Sequence, residues 1–378
     1  MAAAFSPPAP GASPGAPEPG GSLETDVVSA LAAVPGAVVE EGVLTHVGNP
    51  LAEQRALASG AALAPLGDRR VLAVTGEDRL SWLDSLSSQA LTRLTPGEST
   101  ELLILDPQGH VEHAAGVVDD GETTWLVSDV ADADGLLAWL MRMRFRLRVD
   151  PRMRDDLAVV GGTGDAVAAL AAHVVWRDPW PGVSAGGWGY ADAEDHPGRD
   201  WAEAIVPAER LAELAASAAR GEQAFAGAVA ADALRVAAWR PRITDTDDRT
   251  LPHELDWMRT AVHLDKGCYR GQETVAKVHN LGHPPRRVVA LHLDGVVPAR
   301  GDEVRAGENV VGVVTSAALH YEDGPIALAV IRRSAAVDGD LVVDTAEGAV
   351  AAAQHVIVPP EAGATAGVPR IPRLGRRA

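Results

Sequence analysis

The side chains able to do chemistry in this chain gather in one stretch. Leu264 to Lys277 contains both lysines, Lys266 and Lys277, the single cysteine, Cys268, and one of the three tyrosines, Tyr269. Arginine supplies every other permanent side-chain cation. A thiol works as nucleophile or metal ligand in its thiolate form, which neighbouring cations or a helix N-terminus favour. Lys266 and Arg270 stand on either side of Cys268 in sequence. Gly267 and Gly271 permit backbone angles closed to other residues, and Gln272 to Val278 resumes a helix-compatible pattern, so a loop feeding a helix is predicted. The unpaired N–H groups at such a helix start suit an anionic ligand group. The competing reading makes Cys268 a small buried hydrophobe and the two glycines plain turn formers.

Lys266-Gly-Cys-Tyr-Arg-Gly-Gln-Glu273 resembles the signature of the YgfZ family of folate-binding proteins, relatives of the glycine-cleavage T-protein (aminomethyltransferase) and of the mitochondrial factor that helps mature iron–sulfur enzymes. A second part of the resemblance runs from Arg235-Val-Ala-Ala-Trp-Arg-Pro-Arg242 through Asp245, Asp247 and Asp248 to Pro252-His-Glu254. Together it covers Leu66 to Val358. It implies an α+β, T-protein-like folate-binding region over 23–284 and a C-terminal antiparallel β-barrel over 285–358, with tetrahydrofolate or a derivative as cofactor. The function implied is assistance in assembling or repairing iron–sulfur enzymes, including those that modify tRNA, with those clients or their assembly factors as partners.

A folate needs an aromatic slot, a carboxylate or amide for the pterin edge, and cations for its glutamate tail. Trp239 and Tyr269 answer the first need, Glu254, Gln272 and Glu273 the second, and Arg235, Arg240 and Lys266 the third. Asp247 and Arg270 complete the expected ligand-binding set, and Cys268 with Lys266 the expected reactive pair. Two positions depart from the T-protein pattern. Ala237 stands where those enzymes carry the glutamate that holds the pterin, and Glu112 and His113 stand where they carry an acidic pair that includes the catalytic aspartate. Aminomethyl transfer is therefore the first alternative function and a folate-binding scaffold without chemistry the second.

Several elements must position these residues. Residues 1–22 are mostly Ala, Pro, Gly and Ser and predict a disordered tail. Leu23 to Val34 and Pro50 to Ser59 read as helices, Arg70 to Thr75 as a strand, and Asp78 as a helix cap. Leu80, Leu83, Leu86, Leu91 and Leu94 recur at helical spacing. A β-meander is expected over 101–105, 111–118 and 124–127, with a turn at Asp106-Pro-Gln-Gly109, then a helix from Ala131 to Met143. Arg144 to Val149 alternates arginine with apolar residues as a half-buried strand would. Leu157 to Leu170 passes from strand to glycines to helix, but Val167 occupies the third small position of a dinucleotide fingerprint. Pro207 to Ala219 and Glu222 to Val236 read as helices. Beyond Arg286 only strands with Gly and Asp-Gly turns follow, predicting a small barrel or sandwich, and residues 359–378 read as a basic disordered tail.

Composition narrows the function classes. The 378 residues are 47% hydrophobic and 22% charged, the balance of a globular protein large enough for two or three domains. A net charge of −19 argues against gripping nucleic acid by its phosphates, so no direct nucleic-acid partner is expected. One cysteine excludes an internal disulfide and a four-thiolate cluster within one chain. His253, His263, His279 and His283 lack zinc-finger spacing with it, so no metal centre is expected. The start lacks a signal-peptide pattern and no apolar run reaches the ~18 residues of a membrane span, which predicts a cytoplasmic protein without membrane attachment.

Overall fold

The computed structural model describes residues 21–191 and 194–367. Helix α1 (Gly21–Ala32) precedes a hairpin of β1 (Ala37–Glu40) and β2 (Val43–Val47). Then come α2 (Pro50–Ala58), β3 (Ala62–Pro65), β4 (Arg69–Thr75) and α3 (Arg79–Leu86). The meander is β5 (Ser99–Leu105), β6 (Val111–Asp119) and β7 (Thr123–Asp129), followed by α4 (Val130–Met143) and β8 (Asp150–Met153). Next are β9 (Leu157–Gly162), α5 (Gly164–Ala168), β10 (Val174–Arg177), β11 (Ala202–Pro207), α6 (Ala208–Ala219), β12 (Ala224–Phe225) and α7 (Ala228–Ala237). After the short α8 (Met258–Ala261) and α9 (Gln272–Leu281), the chain continues as β13 (Arg286–Leu293), β14 (Glu303–Ala306), β15 (Asn309–His320), β16 (Gly324–Arg332), β17 (Leu341–Thr345) and β18 (Gly348–Val356).

Besides the two-stranded β1-β2 sheet, three larger sheets organise these elements. One five-stranded sheet has the order β5-β6-β7-β4-β8 and a second β10-β11-β9-β3-β12, while β13-β16-β15-β14-β17-β18 closes as a barrel. The fold is thus α+β with an all-antiparallel C-terminal barrel, as expected. The barrel wall is apolar on both sides. Val289, Leu291 and Leu293 of β13 fill the barrel, whereas Val288 and Ala290 join a core with Leu103, Leu105 and Val111 of the meander and with Trp180, Trp257, Tyr269 and Val275. Strand β16 does the same, with Ala327, Ala329 and Ile331 inside and Ile326, Leu328 and Val330 outside. The period-two alternation of a strand makes one sequence serve two cores.

Several local expectations are corrected. Helix α3 ends at Leu86, so Leu91 and Leu94 follow it in a loop whose Leu91 amide donates to the Asp84 carboxylate at 2.7 Å. Asp78 makes no cap bond and instead accepts from the Arg148 amide at 2.9 Å. Arg144 to Val149 is a loop, because Phe145 takes φ 45 and breaks the extended backbone. The helix expected over 222–236 begins only at Ala228, after β12 and after Gly227, where a Cβ would lie 2.2 Å from the Thr45 carbonyl oxygen. Of the two expected tails, residues 1–20 and 368–378 lie outside the described residues. Residues 21 and 22 begin α1, and the Thr365 and Ala366 amides donate to the His279 and Asn280 carbonyls at 3.0 and 3.1 Å.

Candidate functional site

The Cys268 loop is built from contacts distant in sequence. Lys266 Nζ donates to the carbonyl oxygens of Asp84, Ser87 (2.9 Å) and Gln89 (2.7 Å) and stands 3.6 Å from the Asp84 carboxylate. All three ammonium protons are thereby used. Burial lowers the Lys266 pKa, and Asp84 opposes that shift. The ammonium also lies 5.4 Å from the centre of the Tyr269 ring, a cation–π contact. Tyr269 is buried, and burial raises its pKa. The same 87–89 segment is tied to α8: Ser88 Oγ donates to the Ala261 carbonyl at 2.6 Å and Gln89 Nε2 to that of Thr260 at 2.7 Å.

Gly271 then turns the chain into α9. It has φ 82, and a Cβ on it would sit 2.6 Å from the Asp106 carbonyl oxygen and 2.9 Å from Gly109 Cα. Only glycine meets both demands. The packing seats the start of α9 on the Asp106–Gly109 turn of the meander, and there Arg270 pairs with Glu112 at 2.5 and 3.3 Å. Glu112, a departure from the T-protein pattern, thus partners the motif arginine. Gln272 Nε2 donates to the Lys266 carbonyl at 3.3 Å, and Glu273 is exposed. Cys268 is exposed at the tip. Lys266 and Arg270, expected beside the thiol, spend their hydrogen bonds on other groups. A polar cleft of about 600 Å³ opens beside the loop, lined by Lys266, Gly267, Asp84, Arg93, Glu98 and His263 among others.

The remaining expected ligand residues lie in two other neighbourhoods. Arg235 and Arg240 belong to a buried ion-pair network. Arg235 Nε donates to Asp232 (2.6 Å), Nη1 to Asp245 (3.0 Å) and the Arg240 carbonyl (2.7 Å), and Nη2 to Ser316 Oγ (2.7 Å). Arg240 reaches Asp178 (3.2 Å) and both oxygens of Glu101 (3.2 and 2.5 Å). Every nitrogen of both guanidinium groups is engaged. The cavity beside them measures about 60 Å³, room for little more than water. A larger groove of about 830 Å³ runs between α2, α7 and β15, walled by Leu51, Val229, Arg235, Ser316 and Leu319, with the exposed Arg300 at its side.

In the second neighbourhood, Glu254 is wholly buried, pairs with Arg286 at 2.7 Å and keeps its Oε1 without a partner. Burial raises its pKa against the pull of Arg286. Asp247 pairs with the same arginine at 2.6 Å, and hydrogen bonds from Arg286 hold its carboxyl well below the usual range. His253 Nδ1, His279 Nδ1 and Tyr190 Oη are also buried without partners among the described residues, signals that no sequence pattern announced. Trp239 is half-buried, with ring centroids 4.5 Å from His355 and 5.9 Å from His196. Ala237 packs on the shared core. His113 meets Asp132 at 2.6 Å. Among the described residues no three His, Cys, Asp or Glu side chains converge as a metal site, and no helix is long and apolar enough to cross a membrane.

Comparison with known proteins agrees with this architecture. Residues 286–359 match the family described as CAF17, C-terminal beta-barrel domain. The aminomethyltransferase of Nostoc sp. is 26% identical over 306 residues, 74% of this chain and 79% of that protein. That of Rippkaea orientalis is 27% identical over 317 residues, 75% and 81% of the two chains. The mitochondrial iron-sulfur cluster assembly factor IBA57 of Mus musculus is 33% identical over 99 residues, 25% of this chain and 27% of that one. Among solved structures, the glycine cleavage system aminomethyltransferase T of Bartonella henselae superposes with a TM-score of 0.69 at 18% identity, covering 86% of this chain and 94% of that one. The chain therefore has the aminomethyltransferase fold and ends in a barrel of the CAF17 type.

Proposed function

We propose that this is a cytoplasmic, folate-binding, YgfZ-like factor that supports assembly or repair of iron–sulfur enzymes, including tRNA-modifying ones, with Cys268 as its reactive group. The observation that carries the reading is the loop itself: the single thiol is exposed at the tip of a segment fixed by the three carbonyl bonds of Lys266 and the Gly271 contact. A side chain presented this way can meet a client protein or a cluster being handed on. Similarity to an iron–sulfur cluster assembly factor over 99 residues supports the same reading.

Support for a folate comes from particular groups. Glu254 Oε1 is a buried acceptor without a donor, which the N–H edge of a pterin would complete. Trp239 offers a half-buried ring face. Arg235 and Arg240 have every guanidinium nitrogen engaged within the buried ion-pair network, which leaves none for the glutamate tail. The bound folate would supply one-carbon or reducing chemistry, while the chain's own residues hold it and exclude water. Aminomethyl transfer is the second reading, favoured by similarity to aminomethyltransferases over about three quarters of the chain.

Calorimetric titration of tetrahydrofolate into wild type, Cys268→Ser and Glu254→Gln tests the proposal, with rescue of an iron–sulfur enzyme assayed in cells lacking the protein. Binding by wild type and Cys268→Ser, weakened binding by Glu254→Gln, and rescue by wild type alone are expected. Turnover of tetrahydrofolate with an aminomethyl donor would favour the transferase. Full rescue by Cys268→Ser would leave the thiol without a role.

A further inference from the structure

The loop at Arg144 to Val149 has no part in the site described above, yet the fold presents it in an unusual way. The last turn of α4 and the loop after it form a tip on which Met141 is 47% exposed, Phe145 82% and Leu147 44%. Arg142 and Arg146 are exposed beside them, without a hydrogen-bond or ion-pair partner among the described residues. Phe145 holds φ 45, in the left-handed region that bulky side chains rarely adopt.

The root of this tip is fixed. Trp82, itself buried, donates Nε1–H to the Met143 carbonyl at 3.1 Å, and the Leu147 amide donates to the Arg144 carbonyl at 3.1 Å. The Arg148 amide and guanidinium both bind Asp78, at 2.9 and 3.0 Å. Gly76, with φ 110, lets the Arg148 carbonyl oxygen come to 2.0 Å from where a Cβ would be, so only glycine fits at that anchor. Strain at Phe145 and a root closed by glycine and two ion-pair residues together hold an aromatic ring and two unpaired cations in solvent.

We propose that this tip is a docking surface for another protein whose face is acidic and contains an apolar recess for Phe145. Aromatic residues, methionine and arginine are the side chains enriched at protein interfaces. On a chain of net charge −19, two exposed arginines on one tip, without carboxylate partners among the described residues, are a local positive spot that complements an acidic partner. Recruitment to an anionic bilayer takes a cluster of several basic residues, about 4–8. Two unpaired arginines on so acidic a chain fall short of it.

Full-length protein with a photo-crosslinking benzoylphenylalanine in place of Phe145, expressed in its native host, tests this. The expected result is an adduct with a different protein whose crosslinked peptide is net acidic, lost when Arg142→Glu and Arg146→Glu are combined. The same probe at Leu281, which is 60% exposed, should not form it. Unchanged thermal unfolding of the double variant shows that its loss of adduct is not loss of fold. The proposal is overturned if no adduct forms, if the adduct survives charge reversal, or if it joins two copies of this chain. It is equally overturned if the protein floats with phosphatidylcholine vesicles containing phosphatidylglycerol and charge reversal abolishes flotation.

Discussion

Lys266 shows how one side chain can shape a loop through contacts distant in sequence. Its three carbonyl bonds cross 177 to 182 residues of sequence and fix the loop on which Cys268 stands. Lys266→Met should lower stability by about 3 kcal/mol, since it leaves buried carbonyls unpaired. Urea denaturation measures that cost, and alkylation of Cys268 in the native protein should change with it as the loop loosens. His253 makes a pH prediction. It is wholly buried with one ring nitrogen unpartnered, and burial pushes its pKa down to about 3 from 6.5. Below pH 6.5 the unfolded chain takes up a proton that the folded chain refuses. Stability is therefore full above pH 6.5 and is lost as pH falls toward 3. In His253→Gln the slope of unfolding free energy against pH should shrink by about one proton between pH 6 and 4. An unchanged slope would assign acid lability elsewhere. Of this scale the sequence made legible which residue types are scarce and where they gather. It did not reveal that Lys266 and Arg270 are claimed by Asp84 and Glu112, because those partners come from other elements.

At the scale of elements, Gly271 is the joint between the loop, α9 and the meander turn. Gly271→Ala must place a Cβ 2.6 Å from the Asp106 carbonyl oxygen at φ 82, so both strain and collision act. A loss of about 2–4 kcal/mol is expected from these combined mechanisms, read as a lower thermal midpoint. Gly267→Ala has open space around its Cβ and should change stability far less. The meander and six barrel strands were legible because alternation and Asp-Gly turns are local signals. Arg144 to Val149 alternates just as well and is a loop, since a tertiary anchor at Asp78 and Gly76 overrode the pattern. Strands β3 and β11 escaped notice: they are short and buried nearly throughout, which leaves no alternation to read.

Across the whole molecule, buried charge and shared apolar surface tie the barrel to the rest. Asp245 on the segment after α7 holds Arg235, and Ser316 of the barrel joins the same network. Asp245→Asn leaves a buried guanidinium short of its counter-charge and should cost about 3–5 kcal/mol in chemical denaturation. Because β13 and β16 face two cores, unfolding followed by tryptophan fluorescence and by far-ultraviolet circular dichroism should show one coincident transition. The core that receives Tyr269 also contains Ile357, Val358 and Ala362, near the end of the chain. During synthesis those residues emerge from the ribosome after the loop, and domains ordinarily fold as they emerge. The thiol-bearing loop therefore completes its packing only after those residues emerge: a ribosome stalled before residue 357 carries Cys268 on a surface still missing one wall.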